Sequence, residues 1–199
     1  MIKKSKNLFY VRNLQTNFYF KNSKIIKSLF FLEYYLFNLN VKVEEILVFK
    51  LKLKWLYDEI DKNNFSNEIT SNLLPLKDKT LKKKVLKIVE TFSDLIYPIQ
   101  IKNIEEIFEK LNKEFNFIIS KESLEFHTSF KFQIIQYLYN NKLYELDYLK
   151  KSIADGDGNT PDYFERIFIK VFFKNCILKN KKISKTNYLI NLIFNLSRK

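Results

Sequence analysis

The fold is decided by residues Lys24–Asp61, which read KIIKSLFFLEYYLFNLNVKVEEILVFKLKLKWLYDEID. No glycine or proline interrupts this stretch, so it contains none of the residues that most often break a helix. Two periods compete in its second half. The strand-like alternation comprises Phe49, Leu51, Leu53 and Trp55, and the helical stripe comprises Ile46, Phe49, Leu53, Leu56 and Ile60. Because the helical stripe is longer, we predict a helix.

A corner at residues 38–42 is predicted to divide the stretch into two helices, because asparagines there favour a turn. In the second helix, Lys54 and Asp58 lie one turn apart and can form a favourable pair. We expect the two helices to pack as an antiparallel pair in the middle of the core. Leu53 and Trp55 should then be buried.

The same residues resemble the squalene/phytoene synthase family. Within it they are most similar to the branch of the mitochondrial and alphaproteobacterial complex I assembly factor, which lacks the aspartate-rich motifs. The resemblance is strongest over residues 17–61, where a YAFN-type helix and an RLQWWRDAI-type helix are matched, although the spacing between them is shorter here. Residues 123–138 match a later family helix more weakly. The positions that carry the match are Tyr35, Phe37, Asn38, Lys52, Leu53, Trp55 and Asp58.

The resemblance implies an all-α, isoprenoid-synthase-like domain over residues 1–199, shortened relative to a full-length synthase. Active members join two prenyl diphosphates with Mg²⁺ ions held by aspartates three or four residues apart. Aligned through Tyr35 and Phe37, the first of these motifs falls on residues 42–46, KVEEI, which contain no aspartate. The second has no match after Tyr139. The resemblance therefore implies a catalytically degenerate protein without catalytic residues, metal or cofactor, acting as an assembly factor whose partners are respiratory complex I subunits.

Two other functions stay open. A shift of the alignment by a few residues would make Glu44 and Glu45 substitute Mg²⁺ ligands of a divergent prenyl transferase or an isoprenoid-binding protein. The net charge of +13 allows a third function, a basic protein on RNA or ribosomes. Nucleic-acid binding is disfavoured because Arg12, Arg166 and Arg198 are the only arginines, and the abundant lysine and asparagine are typical of AT-rich coding.

Composition excludes several classes of site. The chain has two glycines, Gly156 and Gly158, in one loop, which leaves none for a phosphate-binding loop elsewhere. With one cysteine and one histidine it can form neither an internal disulfide nor a zinc site of the usual composition. We expect His127 to lie on a helix and Cys176 to be a small core residue. The loop at residues 154–162 lacks the register of an EF-hand.

Downstream of Asp61 we predict five further helices and their starts. Thr80 should cap the first, and Asn103 with Glu106 should form a capping box for the helix at residues 104–115. Ser120 should cap a helix that runs to residue 139. Asn159 or Thr160 should cap the helix at residues 161–178. A final helix, from about residue 185, should carry Tyr188, Leu189, Leu192 and Leu196.

The chain shows neither a secretory signal after its basic first residues nor an apolar run long enough to cross a bilayer. We therefore expect a cytoplasmic protein that can attach peripherally to the inner membrane. The many lysines predict attraction to an anionic membrane surface, and the family resemblance adds an isoprenoid or other lipid as a ligand to consider.

Overall fold

The computed structural model describes residues 9–42, 46–95, 101–123, 126, 128, 133–135, 162–179 and 185–196. Every regular element within these ranges is a helix, which confirms the predicted all-α class. None of the helices in the described ranges is long and apolar enough to cross a membrane. The chain divides into two compact units, residues 1–126 and 127–199. A single family-like domain over residues 1–199 stays a prediction.

The first unit is built around α4, which packs against both α3 and α5, while α2 packs against a 3₁₀ helix. Its described elements are α1 (Tyr10–Tyr19), α2 (Lys24–Lys42), α3 (Ile46–Asp61), the 3₁₀ helix (Thr70–Leu76), α4 (Lys79–Ser93) and α5 (Ile101–Ile119). Each helix contributes one apolar side to a shared core, as expected for amphipathic helices in a globular unit. Side chains with almost no solvent exposure include Leu29, Phe30, Leu36, Leu56, Ile88, Phe92, Ile104 and Phe108.

The two helices of the decisive stretch do not pack as a pair, so that prediction is wrong. The main neighbour of α2 is the 3₁₀ helix, and the main neighbour of α3 is α4. They share a contact on α4 instead: the ring centroid of Phe92 lies 5.2 Å from that of Phe37 and 6.1 Å from that of Phe49. The large aromatic side chain of Phe92, on α4, therefore contacts both helices, which do not pack on each other as a pair.

The predicted corner at residues 38–42 is also wrong, because α2 continues to Lys42. The side-chain amide of Asn38 donates a hydrogen bond of 2.7 Å to the carbonyl oxygen of Tyr34, one turn earlier, and so fits within the helix. Leu39 is buried, and this packing favours continuation of the helix past Asn38. The connection at residues 43–45 lies outside the described residues.

Helix α4 has the predicted apolar stripe but a different start. Its N-cap is Asp78, whose carboxylate accepts hydrogen bonds from the backbone N–H groups of Thr80 and Leu81 at 2.9 and 3.4 Å. The prediction that Thr80 is the cap is therefore wrong; the charged carboxylate caps the helix and also complements its positive end. The buried stripe is the predicted one, Leu81, Val85, Ile88, Phe92 and Leu95.

Helix α5 is longer at both ends than predicted. It begins at Ile101, so Asn103 lies inside its first turn and the predicted capping box is wrong. It ends at Ile119, four residues beyond the predicted end. The extension is explained by Ile118 and Ile119, because both are fully buried and their packing in the core stabilises the last turn.

Ser120 ends α5 and does not start a new helix, so the predicted cap is wrong. Its hydroxyl donates a hydrogen bond of 2.9 Å to the carbonyl oxygen of Phe117, and the backbone N–H of Ser123 donates one of 2.9 Å to the carbonyl oxygen of Ile119. The chain thus turns over residues 120–122. Of the helix predicted to reach residue 139, only residues 133–135 are described as helical; most of the others lie outside the described residues.

In the second unit the described elements are α6 (Tyr163–Phe172), a π-helical turn (Phe173–Ile177) and α7 (Lys185–Leu196). The N-cap of α6 is Asp162, whose carboxylate accepts a 2.9 Å hydrogen bond from the backbone N–H of Glu165. The predicted cap at residues 159–160 is therefore wrong, and those residues lie outside the described ones, as does the rest of the loop from residue 154.

Helix α7 packs against α6 through Tyr188. This side chain is buried, its hydroxyl donates a 2.7 Å hydrogen bond to the carbonyl oxygen of Phe164, and its ring lies 5.5 Å from that of Phe168. Leu192 is also buried, whereas Leu189 is exposed. Leu189 follows Tyr188 by one residue, about 100° round the helix, and therefore points away from α6.

Candidate functional site

The motif positions on α2 stabilise the first unit. Phe37 is buried and contacts Phe92, as described above. Tyr35 is half-buried and stacks on Phe31, with 6.4 Å between ring centroids and 16° between ring planes. Burial raises the pKa of the Tyr35 phenol. Together with the hydrogen bond of Asn38 within the helix, these contacts assign the α2 motif positions to packing and helix geometry.

The motif positions on α3 lie on different sides of the helix. Leu53 is buried, as predicted, and Lys52 is exposed. Trp55 is 38% exposed, so the prediction that it belongs to the middle of the core is wrong. Two residues are about 200° apart round a helix, so Trp55 faces away from Leu53. Asp58 is half-buried near the end of α3.

Three apolar side chains form an exposed line on α3. Leu47, Leu51 and Trp55 are 68%, 57% and 38% exposed, and they occupy successive turns because they are four residues apart. We call these three residues the α3 outer face. The α3 outer face follows from the alternation of lysine with apolar residues in this part of the sequence. In a helix, residues two apart lie on nearly opposite sides, so an alternating sequence places apolar residues on both sides of the helix.

The α3 outer face is bordered by positive charge. Lys50, Lys52 and Lys54 are all exposed, and no acidic residue lies between Ile46 and Tyr57. Lys50 and Lys54 are four residues apart and lie along the same side of the line of apolar residues, whereas Lys52 lies on the other side. The first three turns of α3 therefore present an apolar strip between lysines.

The last turn of α3 has a different character. The Lys82 Nζ donates a 3.1 Å hydrogen bond to the carbonyl oxygen of Asp61, which connects the start of α4 to the end of α3. The negative charge of Glu90 is the largest of the effects that raise the pKa of Tyr57. Glu59 accepts hydrogen bonds from two asparagines of the following loop. The end of α3 therefore carries acidic side chains and is held by contacts with α4 and with the following loop.

Residues considered for catalysis or metal binding fall mostly outside the described part of the chain. Among the residues that are described, no group of three or more His, Cys, Asp or Glu side chains is placed to hold a metal ion. Glu44, Glu45 and His127 lie outside the described residues, and the side chain of Cys176, in the π-helical turn, is not described. The predictions for these four residues stay predictions.

Sequence reasoning missed a buried polar cluster between α1 and α2. Arg12 and Glu33 form an ion pair whose shortest distance is 2.8 Å, and neither side chain is exposed. The guanidinium also donates a 2.7 Å hydrogen bond to Gln15 Oε1 and lies 4.8 Å from the ring centroid of Phe30. Two signals could have found it: arginine is rare in this chain, and Glu33 is the one charged residue within residues 28–39.

Comparison with known proteins found no match to this chain, either among family models, among curated proteins or among solved structures. The resemblance over residues 17–61 therefore stays an expectation from the sequence. The geometry on which a functional proposal can be based is that of the α3 outer face.

Proposed function

We propose that this protein is a catalytically degenerate, squalene/phytoene synthase-like interaction factor that binds its partner through the α3 outer face. The observation that carries the proposal is the exposure of Leu47, Leu51 and Trp55 on three successive turns. Scattered exposed apolar residues are ordinary, but a continuous exposed line of large ones is typical of binding surfaces. Tryptophan is also enriched among the residues that contribute most to binding energy.

The exposed motif residues of α3 are placed where they can contact a partner. In the family that the sequence resembles, the reaction takes place inside a helical cavity. Here Leu53 is part of a closely packed core and Trp55 and Lys52 face outwards. A surface of this kind can bind a partner, but it does not exclude water from a diphosphate, as catalysis of its ionisation would require.

The specific partner in the proposal comes from the resemblance. The relevant branch of the family implies assembly of respiratory complex I, so we propose that the protein acts on complex I subunits, as a peripheral protein on the cytoplasmic side of the inner membrane. The all-α architecture of the described residues is compatible with an isoprenoid-synthase-like fold.

The test is affinity capture of the tagged full-length chain from membranes of its own source, followed by mass spectrometry. Complex I subunits should be enriched with the wild type and lost with Leu51→Gln, which places an amide in the middle of the α3 outer face. Leu178→Gln is a matched control, because Leu178 is also 57% exposed but lies in the second unit. Equal recovery of complex I subunits with Leu51→Gln and the wild type would refute the proposal.

A second measurement tests the role without depending on capture. Deleting the gene should lower NADH:quinone oxidoreductase activity of the membranes and leave the assembled complex less abundant. Re-expression of the wild type or of Leu178→Gln should restore the complex, and Leu51→Gln should not. A genome without complex I genes would overturn this choice of partner at once.

A further inference from the structure

We infer that the α3 outer face binds the surface of an anionic lipid bilayer, with the apolar line entering the interface and the adjoining lysines contacting headgroups. The inference rests on the proposed function for the peripheral location at the membrane, and it assigns the α3 outer face itself to the bilayer. The loss of complex I subunits with Leu51→Gln would then follow from the loss of membrane contact. Three observations carry it: the exposure of Leu47, Leu51 and Trp55, the lysines beside them, and the lack of acidic residues between Ile46 and Tyr57.

The apolar line has the length and composition of an interfacial contact. Leu47 and Trp55 are eight residues apart, which is about 12 Å along the helix axis. An amphipathic helix that lies in the interface buries such a strip at the boundary between headgroups and acyl chains. Tryptophan suits this depth, because its ring is apolar and its indole N–H can still reach water or a headgroup.

The charges distinguish a bilayer from an uncharged protein surface. Lys50 and Lys54 border the line on one side and Lys52 on the other, and all three are exposed. Lysine can lay its methylene chain along an apolar surface while its ammonium group reaches outwards to phosphate. An apolar strip between lysines is therefore complementary to a surface with an apolar interior and an anionic exterior.

Acidic residues flank the apolar line in the sequence, at residues 44–45 before it and at Asp58 and Asp61 after it. Anionic headgroups would repel these carboxylates, so we expect the contact to be centred on Leu51. The contact between Lys82 and the carbonyl of Asp61 holds the last turn of α3 on α4.

Trp55 makes the inference directly measurable, because it is the only tryptophan in the chain. Full-length protein is titrated with vesicles of phosphatidylcholine alone and of phosphatidylcholine mixed with phosphatidylglycerol, while tryptophan emission is recorded. We expect a blue shift with the mixed vesicles and little with phosphatidylcholine alone. Lipids brominated on the acyl chains should quench the emission, and high salt should reverse the shift because it screens the lysines.

Paired variants separate this face from the general basic charge of the protein. Lys50→Gln with Lys54→Gln should weaken partitioning at low salt by about fivefold per lysine, or about 25-fold together. The matched control, Lys110→Gln with Lys113→Gln, removes the same charge from two exposed positions of α5 and should have a much smaller effect. Leu51→Gln should also weaken partitioning, and Leu178→Gln should not.

The outcomes also separate this inference from the proposed function. If acidic vesicles cause neither a blue shift nor quenching, the α3 outer face does not bind the bilayer. The same conclusion follows if both lysine pairs weaken partitioning equally. If complex I subunits are still captured in a Leu51-dependent manner in that case, the proposed function stands and the partner of the face is a protein. If Trp55 enters acidic vesicles but no complex I subunit is captured, the peripheral location and the bilayer contact stand, and complex I is not the partner.

Discussion

The guanidinium of Arg12 and the carboxylate of Glu33 form a bidentate ion pair that joins α1 to α2 with no exposure of either side chain. Arg12 Nε lies 2.8 Å and Nη2 3.0 Å from the two carboxylate oxygens. The hydrogen bond from the guanidinium to Gln15 and its contact with Phe30 help to compensate for the lost hydration. A buried pair of this kind adds little net stability over a well-packed apolar pair, but loss of one partner leaves an uncompensated buried charge.

The first prediction concerns this ion pair. Glu33→Leu should lower the free energy of unfolding by about 3–5 kcal/mol, because it leaves the Arg12 charge buried without its partner. Arg12→Met combined with Glu33→Leu should recover most of that loss, since it removes both charges and keeps the volume. Urea denaturation of the two variants measures both values.

The control for the pair is Lys110→Met, an exposed position on α5, which should change the free energy of unfolding by about 0.5 kcal/mol or less. If Glu33→Leu is as stable as this control, the ion pair is not buried as the structure places it. If the double variant is no better than the single one, the loss comes from packing and not from the unpaired charge.

The second prediction compares two neighbours on α3. Leu53→Ala should cost about 2–5 kcal/mol, because it leaves a cavity in the packed core. Trp55→Ala should cost about 1 kcal/mol or less, since its side chain is partly exposed on the other side of the helix. Thermal and urea unfolding of both variants decides the matter. If both variants lose the same free energy of unfolding, Trp55 is packed in the core and is not part of an exposed face.

The third prediction tests the start of α4. Asp78→Ala should lower the free energy of unfolding by about 1 kcal/mol, because two backbone N–H groups lose their acceptor. Thr80→Ala is the matched control within the first turn and should be nearly neutral, since alanine is a good helix former. A larger loss for Thr80→Ala than for Asp78→Ala would restore the cap that the sequence predicts.

The fourth prediction is a pH dependence from Glu114 on α5. Its carboxylate is almost fully buried and lies 2.8 Å from the ammonium groups of both Lys84 and Lys87. Burial alone would raise the pKa of Glu114, but the hydrogen bonds and charges of the two lysines outweigh burial and hold that pKa below its usual range. The ionised form is therefore the one that the fold stabilises.

The sign of the effect follows from linkage. A carboxyl group with a lowered pKa contributes its stabilisation above the ordinary glutamate pKa and loses it as the pH falls from there through the lower pKa of the folded state. The difference in melting temperature between the wild type and Glu114→Gln should be largest at neutral pH and should shrink in acid. Glu109→Gln, at an exposed position of α5, should show no such trend. A constant difference across this range would contradict the assignment.

The fifth prediction is that the purified protein does not release pyrophosphate from farnesyl or geranylgeranyl diphosphate with Mg²⁺ or Mn²⁺. Ionisation of an allylic diphosphate needs metal ions to take up the charge of the leaving group, and the KVEEI segment at residues 42–46 contains no aspartate. The assay uses labelled diphosphate. Release that is abolished by Glu44→Gln with Glu45→Gln would replace the proposed function with that of a divergent transferase.

Local pattern was enough to predict the helical class and several buried stripes. The residues of the α4 stripe repeat at the helical period and are all buried, and Phe49, Leu53, Leu56 and Ile60 are the buried side of α3. Ile46, at the start of the same stripe, is exposed. Helix ends were predicted less well, because Asp78, Asn103 and Ser120 are all good capping residues and only the surrounding packing decides which of them caps a helix.

The sequence by itself determined that the regular elements of the described residues are helices, since the lack of glycine and proline within residues 24–61 and the 3.6-residue period depend only on neighbouring residues. Only the tertiary structure decided which helices pack together, because packing joins residues far apart in the chain, as Phe92 joins Phe37 to Phe49. It also decided that Trp55 faces outwards. The helical stripe of α3 includes Leu53 and not Trp55, but α3 carries apolar residues on both sides, and the position of α4 decided which side is covered.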